Sequence, residues 1–392
     1  MKRILLISPC PGLGGGAEVV LEELLRAWES EELQLVLLAP EDSRMHSVAK
    51  AVGFEWHKLP IRRNGNYMRD ILKAVKTAVA GIEKCDKVVG WTIRTYPAVE
   101  WLAAKWQVPS MGVLHDNPFP KKILGPVLWD LRGLDFRNMS AWADMLWCSG
   151  EFVFRMGWQW QWAHRVANRF SMLICVSEAV RKDCIRKGYE CEMTVIRNGL
   201  ADIPVPERAP SERLRIGFLG MSMPGAKGFP IVEKWIKELG DKAEWKLYGN
   251  ASARSLRRVE RLKAYADVEC CGQCPREEIF ENIDILVHAT PGFDSLPTVL
   301  IEAARAGIPC VASSNGGAWE IVREDASGFV FNPAHPDEGL VALKKLDHAD
   351  LRSRMGNDAR KHFEDNFRVG RMVRNYRGSF LSSLRVNAWI EN

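Results

Sequence analysis

A chain of 392 residues is too long for one typical hydrophobic core and suits two domains. At 47% apolar and 26% charged it has the composition of a soluble globular protein; a net charge of +5 is too diffuse to argue for nucleic acid, although it favours an anionic donor or a membrane surface. The ten cysteines form no secreted disulfide framework, the N-terminal run MKRILLISPCPG is too short for a signal-peptide core, and no stretch approaches ~18 uninterrupted apolar residues, so a cytoplasmic protein is expected.

In chain order, residues 3–8 read as a strand, 17–28 as a helix and 33–39 as a strand. A helix near Val48, a strand near 54–59 and a helix over 68–82 follow, then apolar runs at 87–91, 97–106 and 110–115. Strands spaced by helices predict a parallel sheet covered on both faces. Residues 201–212, ADIPVPERAPSE, break the alternation with three prolines and several charges, as a linker does. It restarts with a strand at 214–219, a helix at 229–239 and a strand at 244–248, and continues at 284–288, 298–306 and 308–312. Two doubly wound domains are expected. Ligands of such sheets bind beyond the carboxyl ends of the strands, so two facing sheets would place the site in the cleft between them.

The most informative segment is ILVHATPGFDSLPTVLIEAARAGIPCVASSNGGAWEIVREDASGFVF, residues 285–331. A buried strand ends near His288, and a loop with Asp294 and Ser295 leads through Pro297 into a helix. Proline suits a first helical turn, and the amides and positive dipole end of that turn can hold a diphosphate. Glu302, about one turn further in, makes sense as an acceptor from a diol, and Asp294 as an acceptor from sugar hydroxyls. Gly316 and Gly317 precede a short helix containing Glu320 and are expected to bring a second set of backbone donors. The CCGQC run holding Cys270, Cys271 and Cys274 is either a metal or redox site or, more simply, a strand end with small thiols; no second Cys or His pair completes a zinc set.

The run from Asp294 to Glu302, followed by a Gly-x-Pro strand and a Gly-Gly-x-x-Glu-Ile-Val turn, resembles glycosyltransferase family 4, whose members are retaining GT-B enzymes. Asp294 stands at the first acidic place, where glutamate is commoner. Other marks follow in order. Gly14-Gly15-Gly16-Ala17-Glu18 is similar to the family's glycine-rich loop, although tight strand-to-helix turns also use glycine. His115 closes the fifth strand, where the family often has a histidine near the reacting sugar; a strand-end histidine can equally be packed or solvated. The runs 174–178, 195–199 and 216–220 resemble the family's last first-domain strands and the opening of its second domain.

The resemblance implies an α/β GT-B fold, two Rossmann-like doubly wound domains facing a central cleft. Residues 1–200 would form the acceptor domain, 201–213 the linker, 214–368 the nucleotide-sugar donor domain, and 369–392 a helix crossing back. It implies transfer of a hexose-type sugar from a UDP-sugar (a GDP-sugar second) to a glycan, lipid-linked or small-molecule acceptor. The nucleotide sugar is a co-substrate, with no separate cofactor and no metal. His115, Lys227, Asp294 and Glu302 would be catalytic. Gly15, Gly16, Gly220, Lys227, Ser295, Leu296, Pro297, Thr298, Val299 and Glu302 would bind the donor, with Glu302 on the ribose.

One departure matters: the family usually carries an arginine directly after the position of Gly220, and here Met221 and Ser222 follow, leaving Lys227 to meet the diphosphate. Arg254 and Arg257 are nearby candidates to substitute, or else form a solvated helix face. A non-catalytic nucleotide-sugar or glycan-binding protein is therefore the alternative; an epimerase would need its own acid–base carboxylates, and a dehydrogenase would need G-x-G-x-x-G after the first strand. Six tryptophans fall in residues 129–162. This stretch either packs on the first domain or forms an acceptor or lipid-headgroup platform with peripheral membrane contact.

Overall fold

The computed structural model describes residues 1–12, 15–61, 68–115, 161–209 and 211–385. They fall into two compact units, one from the described parts of 1–119, 135–201 and 369–392, the other from 202–368.

The first unit contains β1 (Lys2–Ile7), α1 (Gly16–Arg26), β2 (Leu33–Ala39), α2 (Arg44–Val52), β3 (Glu55–Lys58), α3 (Met68–Ala78), β4 (Lys87–Gly90), α4 (Tyr96–Trp106), β5 (Ser110–Leu114), β6 (Met172–Cys175), α5 (Glu178–Arg186) and β7 (Met193–Val195). All seven strands are parallel, in the order β3-β2-β1-β4-β5-β6-β7. The central strands are buried along nearly their whole length, as helices on both faces require. In α1 the buried Val20, Leu21, Leu24 and Leu25 recur at helical spacing. Ser43 caps α2 by accepting from the His46 amide, and Gly53 ends it in the left-handed conformation.

The second unit contains β8 (Leu214–Leu219), α6 (Phe229–Leu239), β9 (Ala243–Tyr248), α7 (Ala253–Leu262), β10 (Asp267–Gly272), α8 (Arg276–Glu281), β11 (Ile285–His288), α9 (Thr298–Arg305), β12 (Cys310–Ser313), β13 (Gly328–Phe331), α10 (Asp337–Lys345) and α11 (Ala349–Asn366). Its parallel sheet runs β10-β9-β8-β11-β12-β13. Phe218, Trp235, Trp245 and Phe331 anchor a core in which α6 and α10 cover one sheet face.

The last helix, α12 (Val369–Arg385), belongs to the first unit, where Tyr376 and Phe380 are fully buried. Lys87, also fully buried, donates to the Phe380 carbonyl at 2.5 Å.

Both sheets reverse direction of growth once, between β1 and β4 in the first unit and between β8 and β11 in the second. Each reversal opens a crevice at the carboxyl ends of two neighbouring strands, because the connections leaving them go to opposite faces. Apart from Gln161 and Trp162, the tryptophan-rich stretch lies outside the described residues.

Candidate functional site

The crevice of the second unit is built by two glycines that let backbone segments touch. Gly228, at φ +84°, is the N-cap of α6, and a Cβ there would lie 1.9 Å from the Ala289 carbonyl oxygen. Only a residue without a side chain fits, and the contact lays Lys227 against the end of β11. Lys227 Nζ then reaches Asp294 Oδ2 at 3.0 Å, and His288 Nε2 stands 3.4 Å from the same oxygen. Burial alone would raise the pKa of the Asp294 carboxyl. The Lys227 charge and the neighbouring His288 overcome it and hold the group well below the usual carboxylate range.

Gly316 fixes the other side of Asp294. At φ +105°, its added Cβ would meet the Asp294 carbonyl oxygen at 1.9 Å. The two loops are laced together: the Asp294 amide donates to Asn315 O at 3.1 Å, and the Gly317 amide donates to Asp294 O at 2.9 Å. The Gly316–Gly317 pair was expected to present backbone donors to a ligand. Gly317 instead spends its N–H on Asp294, and the pair acts by clamping that loop.

Pro297 sits at the N-cap of α9, so the amides of Thr298 and Val299 lie in a first turn where the helix supplies no upstream carbonyl partners. Ser295 and Leu296 are buried before it. Glu302 is buried within α9, its Oε2 3.2 Å from Nη1 of the half-exposed Arg276. Arg276 opens α8 and lines a cavity of about 390 Å³ together with Gly220, Met221, Lys227, Tyr248 and Gly272. Lys227 and Arg276, the partners of Asp294 and Glu302, thus line one cavity, a charge pattern suited to a phosphorylated, hydroxyl-bearing ligand.

The position where family members carry arginine is occupied by fully buried Met221, and the next residue, Ser222, accepts the Asn250 amide at 3.0 Å. Arg254 and Arg257, considered as substitutes, line a different groove. Arg276 is the arginine that lines the cavity with Lys227, and no family motif in the sequence points to it. The local signal is a Pro275-Arg276 pair that opens a helix, separated by two residues from the end of β10. For His288 the sequence shows only the end of a buried strand. Cys274 also lines the cavity, its thiol 3.3 Å from Cys271 O, and no group of side chains able to hold a metal ion occurs among the described residues.

The crevice of the first unit is different in kind. The Gly15 amide donates to Glu18 Oε2 at 2.8 Å, capping α1, which Gly16 begins. Trp91, at the end of β4, donates from Nε1 to Ala17 O at 2.8 Å, and its ring centroid lies 5.0 Å from that of His115 and 5.6 Å from that of Tyr376. Burial lowers the His115 pKa to about 3, so the ring is neutral at ordinary pH.

Comparison with known proteins decides the family. The "Glycosyl transferase 4-like domain" profile matches residues 15–199, and the "Glycosyl transferases group 1" profile matches residues 213–347. The chain belongs to glycosyltransferase family 4. Its structure is similar to Anabaena HepE, solved with UDP and glucose, at a TM-score of 0.74 and 17% identity over 97% of this chain and 100% of that one. It is similar to a Rickettsia africae glycosyltransferase at 0.69 and 14% identity, covering 98% of each chain. Sucrose-phosphate synthase from Thermosynechococcus elongatus gives 0.67 and 14% identity over 97% of this chain and 100% of that one. These likenesses establish the GT-B fold expected from sequence. Spore coat protein SA of Bacillus subtilis is 30% identical over 101 residues, 25% of this transferase and 26% of that protein, so the match spans about a quarter of that relative's length. No described helix of the transferase is long and apolar enough to cross a membrane.

Proposed function

We propose that the protein transfers a hexose-type sugar from a UDP-sugar to a hydroxyl of a glycan, lipid-linked or small-molecule acceptor, with retention of anomeric configuration. The observation that carries this reading is the cluster of Lys227, ionised Asp294 and His288 beside the Glu302–Arg276 pair at the second unit's switch point. HepE, a similar fold, was solved with UDP-glucose, which favours uridine over guanosine donors.

The reading assigns each group a task. Glu302 accepts from the ribose diol. Amides around Thr298 and Val299 hold phosphate oxygens. When donor enters, Lys227 turns from Asp294 to the β-phosphate, and Asp294 takes sugar hydroxyls in exchange. Breaking the sugar–phosphate bond leaves negative charge on the β-phosphate, which Lys227 and the α9 dipole stabilise. The acceptor oxygen attacks the anomeric carbon from the face the diphosphate leaves, and its proton passes to the leaving phosphate, so no dedicated protein base is needed. Arg276 supplies the second positive charge that Met221 does not, moving from Glu302 to the diphosphate as ribose replaces it. Gly220 lines the same cavity, and because a Cβ there would meet the Phe218 ring at 2.2 Å and Lys227 Cβ at 2.8 Å, glycine lets Lys227 lie where it does. In the first unit, Gly15 and Gly16 give the acceptor close access to backbone, and neutral His115 serves the reaction without adding charge.

The test is thermal shift and calorimetry with UDP, GDP and their glucose and galactose conjugates, followed by anomeric proton NMR of the product. UDP-sugars should stabilise the protein and yield a product of unchanged anomeric configuration. Stabilisation by GDP compounds alone, or an inverted product, would overturn the assignment. A second reading, nucleotide-sugar binding without turnover, is favoured by Met221 and by the Lys227–Asp294 pair. Tight UDP-sugar binding with neither transfer nor donor hydrolysis would select it.

A further inference from the structure

Away from the switch point, the second unit carries a groove of about 570 Å³ between α6 and α7. Arg254, Arg257, Arg258 and Arg261 of α7 line it with Lys237 of α6, and Glu233 is the acid among them. Glu233 accepts from Arg258 Nε at 2.8 Å and is the acid that lines the groove beside these five cations. None of these residues lines the cavity beside Lys227. The core face of α7 is Ser255, Val259 and Leu262, which places the basic stripe on a flank, as the wall of a channel. Arg254 and Arg258, and again Arg257 and Arg261, are four residues apart, which sets successive guanidiniums about 6 Å apart along the helix.

We propose that this groove is a second, non-catalytic site that binds an extended oxyanionic strand bearing carboxylate or phosphodiester groups. Like charges crowded along a channel repel one another, and a ligand of repeated negative charge removes that cost. Guanidinium forks grip oxyanions in two-point contacts, and the helical spacing suits charges repeated along a chain better than one isolated ion. A bilayer fits less well. It presents a flat face, whereas these cations line a groove, and Leu256, the exposed apolar residue of α7, lies on the helix flank opposite the stripe; Tyr265, exposed in the groove beside Lys237, offers a ring face to a sugar unit of such a strand. The proposal does not depend on what the switch-point cavity binds.

The test uses the full chain in calorimetry at about 50 mM salt, where exposed charge is weakly screened, with and without UDP. The probes are a hexagalacturonate, a glycerol-phosphate hexamer, and their monomers galacturonate and inorganic phosphate. At least one hexamer should bind on the order of tenfold tighter than its monomer, equally with or without UDP. The tighter hexamer tells whether carboxylate or phosphodiester is the natural group. The double variant Arg257→Ala/Arg261→Ala should lose on the order of tenfold in hexamer affinity while its Tm and its UDP response stay unchanged. Hexamers no better than monomers, hexamer binding untouched in the folded variant, or competition with UDP would each overturn the proposal. Capture by phosphatidylglycerol vesicles alone would overturn it too, in favour of a bilayer surface.

Discussion

The two switch points share a topology and differ in chemistry. In the second unit, the crevice between β8 and β11 gathers charge: Lys227, Asp294 and His288 within 3.4 Å contacts, and Glu302 with Arg276 close by in sequence order of elements. In the first unit, the crevice between β1 and β4 gathers aromatic rings and a histidine kept neutral by burial. One fold thus places a cluster of charges at one switch point and closely packed, buried rings at the other. The difference teaches that the topology sets only where a site can form; the loop residues after each strand set what it holds.

The sharpest way to break the comparison is to remove charge from the charged end. Lys227→Ala should lower kcat by about 10²–10³-fold, as loss of a group stabilising transition-state charge does, with the fold retained by circular dichroism. His115→Ala, at the neutral end, should cost far less in steady-state kinetics. Equal losses would erase the distinction between the two crevices. Next in size is Glu302→Gln. It keeps the shape, and it removes one partner of a charge-assisted bond worth ~1.5–3 kcal/mol. Donor affinity by calorimetry should fall by roughly 10–100-fold; an unchanged Kd would place the ribose elsewhere.

Gly316→Ala tests the clamp, not the charge. A methyl group 1.9 Å from the Asp294 carbonyl oxygen, at φ +105°, forces the two loops apart. The strained backbone should cost about 1–3 kcal/mol and lower Tm, and turnover should drop because Asp294 loses its position. Gly12→Ala is the control, since its added Cβ meets nothing within 4 Å although its φ of +70° is also left-handed. If both variants behave alike, backbone conformation alone explains the effect and the clamp does nothing.

Much of this was legible in the sequence. Strands β2 and β8 and helix α6 have the bounds that apolar patterning predicts, 33–39, 214–219 and 229–239, because full burial writes a continuous apolar run or a clean helical stripe. The polar helices were harder. α7 and α8 carry ARSLRRVERL and REEIFE, where short apolar stripes are swamped by charge, and Arg276 was missed with them. The Lys227–Asp294–His288 contact was illegible for another reason. It joins residues 67 apart in sequence through two glycine contacts, and no local pattern encodes such a meeting. The Gly316–Gly317 pair was visible, but not its use, because one amide can serve a ligand or a neighbouring loop and only the fold decides.

The smallest effect comes from the neutral end and concerns pH. His115 has its folded-state pKa lowered to about 3 by burial, against 6.5 unfolded. Between these values the unfolded chain binds the proton and the folded chain does not. Stability therefore rises with pH across this window: the contribution is intact above about 6.5 and is lost as pH falls toward 3. Each pH unit inside the window is worth at most about 1.4 kcal/mol. His115→Gln removes the titration while keeping a polar side chain of similar size. The fall in Tm from pH 7.5 to pH 5.5 should be shallower in the variant than in the parent, by about 2 °C, with the two curves parallel above pH 7. Parallel curves down to pH 5 would mean that the ring is protonated in the folded protein. The first crevice would then carry a positive charge as the second does, and the contrast between them would disappear.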